Sequence, residues 1–97
     1  MARVLGVGGI FFKARDPDAL RKWYTDALGI EMADWGGAVL MPDGMANHPG
    51  AATVFSPFKD ETSYFEPSTK PFMINLAVDD LDGMLARLAK HGVEAKV

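Results

Sequence analysis

Residues 4–14, VLGVGGIFFKA, are rich in Val, Ile and Phe and read as a strand. Gly8-Gly9 inside it marks a bulge or a place where something approaches the backbone closely. Counting by two from Ile10 puts Ile10, Phe12 and Ala14 on one face and Gly9, Phe11 and Lys13 on the other. The period then changes. Leu20, Trp23, Tyr24, Ala27 and Leu28 fall on one helical stripe, which Asp16-Pro17 opens and Gly29 closes. A carboxylate at the start accepts from orphan backbone donors, and proline sits beside it where no donor is needed.

Ile30 to Trp35 and Ala38 to Met41 read as short strands around Gly36-Gly37, a hairpin signal. Pro42 to Gly50 reads as a loop, and Ala51 to Phe55 as a fourth strand. From Ser56 to Pro71 no period is visible, and Pro57, Pro67 and Pro71 with scattered charges mark a connection. Phe72 to Val78 then repeats the first strand, with Ile74, Leu76 and Val78 toward a helix and Met73, Asn75 and Ala77 on the opposite face. The helix runs from Asp80 to His91 with Leu81, Met84, Leu85, Leu88 and Ala89 on its stripe. Gly83 in its second turn costs about 1 kcal/mol of propensity.

The chain therefore states one unit twice: apolar strand, junction aspartate, amphipathic helix, releasing glycine. A repeated strand-helix unit rarely buries its sheet alone, so the two units are expected to share one concave surface. The second unit is shorter, reaching only Val97 where the first continues through three more strands to Ser56. The expected organisation is one α+β domain over 1–97, with a first module at about 4–56, a connecting loop at about 57–70 and an incomplete second module at about 71–97. Its missing strands must come from a partner chain or from residues outside this one. An edge left open invites pairing, which makes a homodimer the expected state.

Composition narrows the function classes. At 97 residues and 48% apolar content the chain is one small globular domain, poorly suited to enclosing a large cavity unaided. A net charge of -3 with no dense Lys/Arg run argues against nucleic acid as a partner. With no cysteine there is neither a disulfide framework nor a thiolate nucleophile or ligand. The apolar start is interrupted by Lys13, Arg15 and Asp16 too early for a membrane span, and the expected location is cytoplasmic. The GVGG at 6–9 lacks the lysine of a P-loop and the full pattern of a dinucleotide site.

The strand ending before Asp16-Pro17, the helix ALRKWYTDALGIEM and the run INLAVDDLDGMLARLAKHGVE together resemble the vicinal oxygen chelate superfamily, which includes glyoxalase I, bleomycin-resistance proteins, fosfomycin-resistance enzymes and extradiol dioxygenases. The resemblance extends from about Val4 to the last residue. It implies paired βαβββ modules around a cup, the second module being truncated here. In metal-dependent members a ligand lies on the first strand of each module, seven residues before the junction aspartate. Those positions are Gly9 and Met73, and neither suits a hard or borderline divalent ion. The stretch Thr53 to Ser56, where a fourth-strand ligand is implied, has no carboxylate, carboxamide or imidazole.

Few other residues carry chemistry. His48 lies in a loop and reads as structural, while His91 precedes Gly92, where an imidazole suits the carbonyl end of a helix. Asn75, flanked on its stripe by Met73 and Ala77, needs a partner for a buried amide, either a ligand or another protein group. Phe11 on the facing strand stacks on a flat ligand or belongs to the core. Lys13 is solvated or contacts an anion. Tyr64 and Phe65 in the connection close a pocket or anchor the loop. Glu61 and Glu66 lie near that lid with no base to pair with, and Asp79-Asp80 is explained by capping, since adjacent strand residues point opposite ways.

The expected function is metal-independent binding of a small apolar or aromatic molecule in the cup by Phe11, Met73, Asn75 and Tyr64, with no cofactor. The alternative is a lyase or dioxygenase of the same superfamily that takes a divalent metal through ligands from a partner or from further residues. Whether the chain is an enzyme stays open. A third possibility is a noncatalytic domain whose main contact is its own copy.

Overall fold

A computed structural model describes residues 2–95, so the expected end of the second module at Lys96 and Val97 lies outside the described residues. The elements in chain order are α1 (Pro17–Leu28), α2 (Pro42–Ala46) and α3 (Leu81–Lys90). Among the described residues there is no strand. The paired βαβββ architecture is therefore not formed, and the expected α+β fold is corrected to helices joined by extended and turning segments.

The duplication survives in the helices. Asp16 accepts from the Ala19 amide at 3.1 Å to open α1, and Asp80 accepts from the Gly83 amide at 3.0 Å to open α3. Gly83 has a local reason: a Cβ there would come against the Asp80 carboxylate that performs the cap. Each helix closes on a left-handed glycine, Gly29 and Gly92, both with φ of 72°. The Gly29 amide donates to the Thr25 carbonyl at 3.0 Å. At the end of α3 the Gly92 and Val93 amides donate to the Ala89 and Leu88 carbonyls, the paired bonds of a Schellman turn.

The apolar stripes meet because α1 and α3 pack on each other, the one contacting pair of elements among those described. The core they provide is small: Ala27 at 0% exposure and Leu88 at 6%. Around them Leu20, Trp23, Tyr24, Leu28, Met84 and Leu85 are half-buried, with the Trp23 and Tyr24 rings edge to face at 5.2 Å. Between the helices the Arg87 guanidinium reaches across to the end of α1 and donates to the Asp26 carbonyl at 3.2 Å.

The segments read as strands form no ladder among the described residues. Among the described residues, no backbone-to-backbone hydrogen bond involves 4–14, 52–58 or 69–79. Strand preference is a preference for a pleated, half-buried surface, and it is realised only when a neighbour completes the ladder. Here the neighbours are distant in sequence and do not come into register, so Phe11 is 92% exposed and Phe55 87%. The hairpin signal survives as a turn only: the Ala33 amide donates to the Gly37 carbonyl at 2.7 Å and the Gly36 amide to the Ala33 carbonyl at 2.9 Å, with Gly36 at φ 98°. The expected loop at Pro42 to Gly50 instead opens with α2, for which Pro42 supplies a pre-set φ at the first turn.

The consequence is a chain larger than its mass requires. It exposes 8973 Å², whereas a compact protein of this mass exposes about 5,400 Å² and the unfolded chain roughly 15,000 Å². Folding thus hides about 40% of the surface, where even small compact domains hide about 60%. The radius of gyration, 15.1 Å, exceeds the value of about 12.5 Å for a closed domain of this length.

Because caps and the helix contact hold this structure, Asp16→Ala and Asp80→Ala are each expected to cost about 1 kcal/mol. Leu88→Ala, which empties the centre of the core, is expected to cost about 2 kcal/mol or more. Urea titration followed by helical circular dichroism checks the order.

Candidate functional site

Three of the four residues expected to meet a ligand come together. Phe11, Met73 and Asn75 border a hollow of about 380 Å³, with Val7, Ile10, Phe12, Thr53, Phe55, Phe72 and Ile74 completing its rim. Its walls are consecutive residues, 10–12 and 72–75, so both faces of each supposed strand border the same space. That is the reverse of strand alternation. Asn75 is exposed, so the buried-amide requirement does not apply to it, and Met73 is also open to solvent. The close approach expected at Gly9 is made by the chain's own Phe11, whose ring lies over the glycine where a Cβ would sit.

Tyr64 takes a different place. Its ring stacks on Phe58 at 5.4 Å, and Phe65 leans on Phe58 at 5.3 Å, forming an aromatic cluster inside the connection. Local bonds tie that cluster down, with the Thr62 amide donating to the Lys59 carbonyl at 3.0 Å and the Glu66 amide to the Ser63 carbonyl at 3.1 Å. The sequence left Tyr64 either to close a pocket or to anchor the loop, and it did not identify Phe58 as a ring partner. The signal was the spacing of the three rings around the turn-forming Asp60 to Ser63.

Beyond the hollow lies a far larger open space of about 2990 Å³, bordered by segments from Val7 to Met84. At about 30 Å³ per water it holds on the order of 100 waters. Sites for small molecules measure about 300–1,000 Å³, so no single ligand of that class fills it. With no strand to form its walls, the expected inter-module cup is absent, and the ligand-binding and lyase or dioxygenase readings built on it are withdrawn.

The metal positions fare no better. Gly9 offers no donor, Met73 offers a soft thioether, and among the described residues no group of three His, Asp or Glu side chains is placed to hold an ion. His48 is exposed in the turn after α2, where its backbone receives the Ala51 amide at 3.0 Å. His91 is the capping residue of α3, its backbone amide bonded to the Leu88 carbonyl.

The charged network at the helix contact is absent from the sequence reading. Asp26 is hydrogen-bonded to Lys22 one turn earlier. That bond holds its carboxyl below its ordinary value; desolvation opposes the shift, and the charges of Lys22, His91 and Arg87 add to it. Arg87, on α3, places its guanidinium at the carbonyl end of α1, where cations are favoured. Gly29 leaves room for it, since a Cβ there would stand 2.9 Å from Arg87 Nη1.

A family model described as a glyoxalase-like domain matches residues 9–96. The chain belongs to that family. No curated protein and no solved structure matches it significantly. The membership does not restore the vicinal oxygen chelate fold, whose defining sheet is missing among the described residues. Nor do the labels of glyoxalase, bleomycin-resistance protein or dioxygenase stand on this structure, because each depends on that sheet. Among the described residues no helix is long and apolar enough to cross a membrane.

Gly29→Ala is expected to destabilise by about 1–2 kcal/mol through left-handed strain, with a further loss as Arg87 is displaced. Arg87→Gln should cost about 0.3–1 kcal/mol, the worth of a cation at a helix end, and faster amide exchange at the end of α1 reads it. A depressed carboxyl pKa contributes stability above its unfolded value, about 3.9, and loses it as pH falls through the folded value. The stability gap between Asp26→Asn and the parent chain should therefore be constant near neutrality and vanish in acid. Urea midpoints taken between pH 7 and pH 2 measure that gap.

Proposed function

We propose that this glyoxalase-like chain is an assembly module whose apolar extended segments are covered by a second copy, so that a cytoplasmic homodimer is the working form. The supporting observation is the exposed surface of 8973 Å², about 3,500 Å² more than a compact chain of this mass shows. Covering half of that excess on each of two copies makes a total interface of roughly 3,500 Å², within the range of obligate homodimers.

The chemistry of the segments suits a self-complementary contact. Residues 4–12, 35–42, 44–58 and 71–78 contain no Asp, Glu, Lys or Arg. A two-fold interface sets the same patch on both sides, and a patch without charge does so without like-charge repulsion. Nucleic acid is outside this reading, given the net charge of -3.

Light scattering behind size exclusion tests this reading. A species of twice the 10.5 kDa chain mass is expected, and Phe11→Asp should convert it to the single-chain mass. A monomer at every concentration contradicts the proposal. Anilinonaphthalene sulfonate gives a second readout: its binding should fall as dimer forms if the segments cover one another.

A further inference from the structure

Resting on the homodimer reading, we infer that association and the ordering of residues 4–12 and 71–78 are a single step, so that in the monomer these two runs are unordered while the α1–α3 pair stays fixed. The division follows from where stabilising contacts lie. The two buried apolar residues among those described, Ala27 and Leu88, sit on α1 and α3. Both side-chain caps belong to the same helices, and Arg87 ties them together. Residues 4–12 and 71–78 have none of this: Val4 and Leu5 are each 89% exposed, and no backbone-to-backbone bond holds either run among the described residues.

Ordering a residue costs about 1–2 kcal/mol of backbone entropy, and within one chain no fully buried side chain or backbone bond among the described residues offsets that for these runs. A second copy supplies the apolar burial. Burial in turn requires every backbone N–H and C=O taken from water to find a partner, so the segments become hydrogen-bonded as they are covered. Local opening in such a molecule divides along this line, with the helix pair at the stable end and the runs near zero until association.

The partner is a second copy rather than an unrelated chain, because the four charge-free runs match themselves and covering half of the excess area on each copy gives an interface of obligate-homodimer size. The occupant is polypeptide rather than a small molecule, because the open space of about 2990 Å³ exceeds small-molecule sites severalfold. Concentration thereby becomes the control variable.

Hydrogen exchange by mass spectrometry on the full chain, above and below the association midpoint, tests the step. Amides of 4–12 and 71–78 should slow by about tenfold or more in the dimer, while those of α1 and α3 are protected in both. A dimer whose runs exchange equally fast on both sides of the midpoint overturns the coupling and leaves the homodimer reading standing. A chain that stays monomeric overturns both. If the dimer persists at every attainable dilution, urea unfolding at several protein concentrations decides: one transition moving upward with concentration is expected, and a separate concentration-independent transition of the runs contradicts the inference.

Discussion

The contact between α1 and α3 is what the rest of the chain hangs on. Ala27 and Leu88 are the buried apolar residues, and the half-buried Trp23, Tyr24, Met84 and Leu85 surround them on the same two helices. A small residue at 27 suits close helix approach, because interaxial distance follows side-chain size at the crossing. Arg87 adds a polar bond at the edge of the contact, and Gly29 leaves the space it occupies. Helices of this length are marginal by themselves, so their persistence depends on that packing.

The same constraint explains what is missing. Two helices of 12 and 10 residues can bury one stripe each, while the chain also carries Phe11, Phe12, Val39, Leu40, Val54, Phe55 and Phe72, all exposed. Hydrophobic residues on a surface are ordinary when scattered, but these stand in contiguous runs on segments with unmatched backbone groups. Unpaired apolar edges of this kind are templates for another chain. The chain belongs to the glyoxalase-like family and its described residues form no paired sheet, and association is a physical way for such a sequence to hide its apolar runs.

Local chemistry was legible in the sequence and tertiary pairing was not. Asp16-Pro17, Asp80, Gly29 and Gly92 act through neighbours three to six residues away, so their residue types announce caps and turns directly. The stripes through Ala27 and Leu88 likewise pointed to one packed face each. Strand partners are set by residues far apart in sequence, and a run such as FMINLAV says that it seeks a neighbour without saying that one is in reach. Asn75 illustrates the cost of that gap: period-two counting put its amide inside, and the unpaired segment leaves it in water. Phe11, Met73 and Asn75 still border one hollow, because the two runs lie near each other without forming a ladder. For Tyr64 two readings stayed open, closing a pocket or anchoring the loop, because ring clustering with Phe58 and Phe65 leaves no periodic trace.

Small-angle scattering behind size exclusion, which reads mass and radius of gyration on one sample, addresses the central claim most directly. The expected result is a species of twice the chain mass and, on dilution, a single chain no smaller than the 15.1 Å radius of this structure. A single chain with a radius near 12.5 Å, the value for a closed domain of this length, would contradict it, because such a chain has covered its apolar runs without a partner.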